Sequence, residues 1–185
     1  MGKSGRNIKR RLYSLTLIGN RLSRVKHFRG HGVHSPFVYG LVRKAFMNHK
    51  SVPAQSLLYD ALIRVQVAKK RALELQKAAI YCNAESFAID CTECSADFNI
   101  LTATYPASEF NAALDSAKSN KTTLIIMQPY MDRVRTNTLK ELILCHRSTV
   151  VDNRGYIIFF NNHLPKQSII FQLFFDIICF NISKN

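Results

Sequence analysis

Three groups of side chains in this sequence have the types and spacing for chemistry. His31 and His34 stand three apart in Gly30-His31-Gly32-Val33-His34-Ser35-Pro36, where they could bind a metal or a phosphate in a cleft, or hydrogen-bond backbone groups to fix the loop. Cys91-Thr92-Glu93-Cys94 has the C-x-x-C spacing of zinc and redox sites. Zinc normally takes a second pair, none follows, and only Cys82 or His27 brought near by folding could complete the site, so no metal site is assigned. The third group is basic. Arg6, Lys9, Arg10, Arg11, Arg21, Arg24, Lys26 and Arg29 are the anion-binding candidates, with Tyr13, His27 and Phe28 interleaved. Such an arm could meet nucleic-acid phosphates through counterion release, or an anionic surface through its potential. No recognition motif accompanies it, so the expected binding is salt-sensitive and sequence-tolerant; a solvated face that keeps the chain soluble is the alternative.

This charge is localised. The formal net charge is +14 over 185 residues, yet from Met1 to Tyr59 there are twelve Lys or Arg and no acid, while the other 126 residues hold fourteen basic and twelve acidic side chains. With 47% hydrophobic residues the chain is long enough for one domain with a real core. The five cysteines, Cys82, Cys91, Cys94, Cys145 and Cys179, are odd in number and without framework spacing. The N-terminus lacks the pattern of a secretory leader, so a reduced, cytoplasmic setting is expected.

The elements that must hold these residues follow from periodicity. Residues 8–25 read as an amphipathic basic helix through Leu12, Leu15, Ile18 and Leu22. Ser35 then Pro36 fits an N-cap with proline at the first helical position, opening a helix over 37–48. Leu57 to Gln76 predicts one long helix. Beyond Lys77 the texture turns to short apolar runs, predicting strands at 79–82, 87–91, 99–104 and 122–127, with helices at 108–119 and 132–145. Strands at 149–151 and 156–160 flank Asn153-Arg154-Gly155, a hairpin signal. The tail from Ser168 to Ile182 is apolar but interrupted by Gln172 and Asp176 and too short to span a membrane, so a final buried strand with an apolar extension is expected. Strands alternating with helices imply an α/β fold, a mostly parallel sheet ending in an antiparallel hairpin.

Gly30 to Tyr39, read as G-H-G-V-H-S-P-F-V-Y, resembles the N-terminal signature of a subgroup of class I S-adenosylmethionine-dependent methyltransferases that begin with a basic helix. Tyr59-Asp60 and the basic helix after it are similar to the subgroup's second N-terminal helix, part of a cap beside the cofactor cleft. The later order of elements, through Gly155-Tyr156-Ile157-Ile158-Phe159-Phe160 and Lys166-Gln167, is similar too. The resemblance covers residues 1 to about 76 and 97 to about 171. It implies a reduced Rossmann-like fold, with residues 1–76 as a basic helical cap, residues 77–185 as a truncated α/β core, and His31, His34 and Tyr39 at the cap or cleft.

The departures bear on activity. The family carries a strand ending in E-L-G-x-x-x-G, whose glycines let the backbone approach the cofactor; here residues 77–97 contain no glycine. Leu101-Thr102-Ala103 stands where the family has F-I-D, and Met127-Gln128-Pro129 where it has an acidic pair. Asp90 or Glu93 could replace the ribose-binding acid. The expected function is therefore a methyltransferase-like protein without turnover and with no cofactor. Two rivals are an active enzyme binding S-adenosylmethionine in a rebuilt pocket near the His31 loop, Tyr105 and Gln128, and a nucleic-acid or polyanion-binding module using the N-terminal third. Without its first strands the sheet has an open edge, which the cap, the apolar tail or a second subunit would cover.

Overall fold

The computed structural model describes residues 35–47, 56–161 and 164–170. The basic helix, the anion-binding residues from Arg6 to Arg29, His31, His34 and the tail beyond Ile170 lie outside the described residues. Within them the chain is α/β: a six-stranded mixed sheet with helices on both faces. The strands are β1 (Phe87–Ile89), β2 (Phe98–Leu101), β3 (Thr123–Met127), β4 (Val150–Asp152), β5 (Tyr156–Phe159) and β6 (Ser168–Ile170). Their order is β1-β2-β3-β5-β4-β6. Three pairings are parallel (β1 with β2, β2 with β3, β4 with β6), while β5 runs antiparallel to both β3 and β4. Five strands therefore run in one direction and β5 alone opposes them, so the sheet is mostly parallel with an antiparallel hairpin, as expected, except that the hairpin's second strand is inserted beside β3 instead of closing the edge.

Alternation along β3 divides the core. Ile125 and Met127 face a layer built from α1 (Pro36–Leu41), its π-helical continuation Val42–Phe46, α2 (Leu57–Arg64) and α3 (Lys69–Tyr81). Leu124 and Ile126 face α4 (Phe110–Ser119) and α5 (Arg133–Cys145). A strand buried on both faces reads as a continuous apolar run, which is why Thr123-Leu124-Ile125-Ile126-Met127 was legible as an interior strand. The start of α1 follows its sequence signal: Ser35 Oγ accepts the Val38 N–H at 3.3 Å, and Pro36 takes the first helical position, whose N–H needs no partner.

Two expectations about the helices fail for one reason. The predicted helix Leu57 to Gln76 is two helices, and the predicted strand at 79–82 is the last turn of α3 and its cap. At the end of α2, Val67 N–H reaches Leu62 O at 2.9 Å and Gln66 N–H reaches Ile63 O at 3.0 Å, with Gln66 at φ 62°. This is a Schellman motif, which normally uses glycine at the left-handed position. The same pair of bonds closes α3, with Asn83 at φ 53°, and α4, with Lys121 at φ 56°. At the first two ends, which depart from expectation, no glycine marks the stop; the end of α4 at Ser119 agrees with the expected helix over 108–119. Apolar residues continue at helical steps through Ala72, Leu75 and Ala79, all buried, so Ala79 belongs to the helix rather than to a strand. Helix α3 thus runs through the division expected after residue 76.

The sheet edges also differ from expectation. The described start of the tail, β6, pairs with β4 as an edge strand in which Ser168 is exposed and Ile169 half-buried, not as a buried strand. It lies at the opposite edge of the sheet from β1. Among the described residues β1 pairs only with β2, and its Phe87 is 36% exposed. No helix among the described residues is long and apolar enough to cross a membrane.

Candidate functional site

The strand ends that carry the sequence departures come together at a crevice. A cavity of about 420 Å³ is lined by Thr102 and Thr104 after β2, Gln128 after β3, Gly155 of the hairpin, and Gln66 and Arg71 from the α2–α3 turn and α3. Ligands of open α/β sheets bind at such carboxyl ends. The crevice therefore unites the 101–103 and 127–129 segments that the sequence set apart. Its second wall is the Val65–Arg71 stretch, which the reading of one unbroken helix over 57–76 concealed.

Each lining group is held by a local cause. Gln128 turns the chain out of β3 at φ 47°, and its N–H meets Gly155 O at 2.8 Å. Arg71 NH1 donates to Glu74 Oε2 at 2.8 Å, and its guanidinium lies 5.8 Å from the Tyr156 ring centroid. Glu74, buried, also accepts from Tyr156 Oη at 3.1 Å and Asn153 Nδ2 at 3.3 Å. Burial, then the Glu74 charge, pushes the Tyr156 phenol well above its usual range, so it serves as a donor to the carboxylate. A Cβ on Gly155 would stand 2.5 Å from Arg71 Nε, so glycine is needed there for close approach of the hairpin to α3.

Beneath the crevice, Arg135 ties the strand ends together. Its NH1 donates to Tyr105 O at 2.8 Å, and its NH2 to Thr102 O and Met127 O, both at 2.9 Å. The guanidinium carbon sits 4.6 Å from the Phe110 ring centroid and the residue is 2% exposed. Desolvation pushes its pKa down to about 10, against the favourable charges of Asp132 and Asp90, and it stays cationic at neutral pH. Nothing in the sequence distinguished Arg135 from the other arginines; Asp132 as the N-cap of α5, accepting from Arg135 N at 2.8 Å, is the one local cue to its orientation.

Asp90 occupies the end of β1 at φ 53°. The glycine-free stretch 77–97 takes positive φ at two residues, Asn83 and Asp90, types that tolerate the left-handed region. The Asp90 carboxylate is engaged on both oxygens, Oδ1 accepting from Thr102 N at 2.6 Å and Oδ2 from Thr102 Oγ1 at 2.7 Å. At this bend a side chain fills the space that glycine would leave open. Glu93 is exposed and three residues further along the loop, and its backbone oxygen accepts from Cys91 Sγ. Tyr39 is 46% exposed, with Arg43 5.9 Å over its ring, and does not line the crevice.

No family model, curated protein or solved structure matches the chain. Its chemistry therefore rests on these residues. Cys82, Cys91, Cys94 and Cys145 are free thiols, and among the described residues no cluster of three metal-ligating side chains forms. Burial pushes the Cys82 thiol up to about 12 and also raises that of Cys94, so both are neutral at physiological pH and poor nucleophiles.

Proposed function

We propose that the chain is a methyltransferase-like α/β protein that does not turn over S-adenosylmethionine, its strand-end crevice serving as a vestige of a cofactor seat. The observation that carries this reading is the engagement of Asp90. The acid best placed at the end of β1 to hold a ribose already accepts from Thr102 on both oxygens, and its Cβ stands at a positive-φ bend where a glycine would leave room for a cofactor. The order of β1, helix-linked β2 and β3, and a final hairpin agrees with the order that the sequence resemblance implies, and so supports the fold part of the proposal.

The crevice itself favours a second reading, an active enzyme with a rebuilt pocket. Thr102, Thr104, Gln128 and Arg71 offer hydrogen bonds around about 420 Å³, within the range of small-molecule sites. Calorimetric titration of the full chain with S-adenosylmethionine separates the two. The expected result is no saturable heat at millimolar ligand. Saturable binding abolished by Gln128→Ala would establish the rebuilt pocket and overturn the vestigial one.

A further inference from the structure

The opposite end of the sheet, where β3 begins and β5 ends, carries a second cavity of about 550 Å³, lined by Lys118, Cys145, His146, Arg147, Ser148 and Asn161. We propose that this cavity binds the phosphate group of a small phosphorylated molecule through Lys118, Arg147 and His146. Two of its neutral side chains are already engaged: Ser148 Oγ donates to Leu164 O at 3.1 Å and Asn161 Nδ2 to Thr122 O at 2.6 Å. The charged groups of the lining are cationic. Arg147 is exposed at the rim, and Lys118 is paired to Asp115 in an exposed bridge at 2.9 Å, a pairing that water and salt weaken and that an incoming anion can replace.

His146 supplies the independent observation. It is 2% exposed, its Nε2 lies 2.9 Å from Phe160 O, and its ring stands edge-on to Phe159 at 5.3 Å. A carbonyl can only accept, so Nε2 carries the proton, and the buried Nδ1 has no hydrogen-bond partner among the described residues. Buried polar atoms are rarely left unmatched, and this orphan belongs to a side chain that lines the cavity. The charges around it agree. Burial first, then Lys118 from the end of α4 and Lys166 from the segment before β6, disfavour the imidazolium, against the pull of the Phe160 carbonyl. Asp115 is the acid next to this group, paired to Lys118. A tetrahedral oxyanion set between Lys118 and Arg147 would cancel the lysine repulsion and give a protonated Nδ1 an acceptor, so binding is coupled to proton uptake by the ring. Phosphate has enough oxygens to meet two cations and an imidazole at once.

The test is isothermal titration of the full chain with pyrophosphate, and with sulfate, whose charge is constant between about pH 6 and 8 so that any pH dependence there belongs to the protein. Wild type is expected to bind pyrophosphate saturably, and Lys118→Ala with Arg147→Ala to weaken it by roughly tenfold or more. Both substitutions are on exposed side chains and leave the core intact. Sulfate is expected to bind more tightly at the lower pH in wild type and without that dependence in His146→Gln. Unchanged pyrophosphate affinity in the double variant, a pH-independent sulfate affinity in wild type, or binding of a single-stranded oligonucleotide but not of pyrophosphate would each overturn the proposal.

Discussion

Replacing Arg135 by Met tests whether the strand ends depend on one buried cation. The guanidinium is 2% exposed and donates to three backbone carbonyls, those of Tyr105, Thr102 and Met127. Each buried acceptor left without a donor costs about 1–3 kcal/mol. Thr102 O keeps the Tyr105 N–H at 3.3 Å, so two carbonyls carry most of the loss, about 2–6 kcal/mol by the same figure. Removing the cation also relieves its desolvation, a cost of several kcal/mol for a buried ion, and Met fills much of the space left by the stem over Phe110. The net expectation is a destabilisation of about 2–4 kcal/mol, measured by urea unfolding followed by circular dichroism. Arg135→Lys should lose nearly as much, because one ammonium group cannot span three carbonyls on two strands. Amide exchange should accelerate first around Tyr105 and Gln128, which flank the released carbonyls. A variant within about 1 kcal/mol of wild type, or one whose exchange is unchanged at those amides, would refute the view that Arg135 holds β2 and β3 in register at the crevice.

Other perturbations check other parts of the account. Lys121→Gly should raise unfolding stability by about 0.5–1 kcal/mol, since glycine relieves the left-handed strain at φ 56° at an exposed site, whereas Lys121→Val should lower it. Gly155→Ala should destabilise by about 1–3 kcal/mol, because its Cβ displaces the Arg71 guanidinium from the buried Glu74 carboxylate; the double variant with Arg71→Met should lose less than the sum of the two single changes. The Asp97 carboxyl is held below its ordinary range by the Ser86 hydroxyl, then by the Ser86 and Glu85 N–H groups. A depressed acid stabilises the fold above its unfolded pKa, near the model-peptide 3.8, and that stability is lost as pH falls through the folded value. Asp97→Asn should therefore flatten the acid side of the stability profile below about pH 5, and an unchanged slope there would contradict the assignment.

The sequence by itself determined what depends on periodicity and local chemistry: the α/β class, the Ser35-Pro36 helix start, the interior strand at 123–127 and the hairpin around Asn153-Arg154-Gly155. These are properties of neighbours along the chain, where spacing and residue type suffice. Helix ends at Gln66 and Asn83 were illegible, because the left-handed residue that stops each helix is not the glycine that normally announces it, and tertiary packing of Leu62, Leu75 and Ala79 decides where each helix stops; the end of α4 at Ser119 was legible from periodicity. The insertion of β5 beside β3, and the placing of the tail's β6 against β4 rather than at the open β1 edge, depend on which apolar faces find each other across long separations. Only tertiary structure decided the site's partners as well. Asp90 could be singled out as a carboxylate at a strand end, but that Thr102 bonds both its oxygens, that Arg71, held by Glu74, walls the crevice, and that His146 lines a basic cavity at the other end of the sheet are facts of distance between residues far apart in the chain. A residue type says which bonds a side chain can form; only the fold brings within about 3 Å the group that takes them.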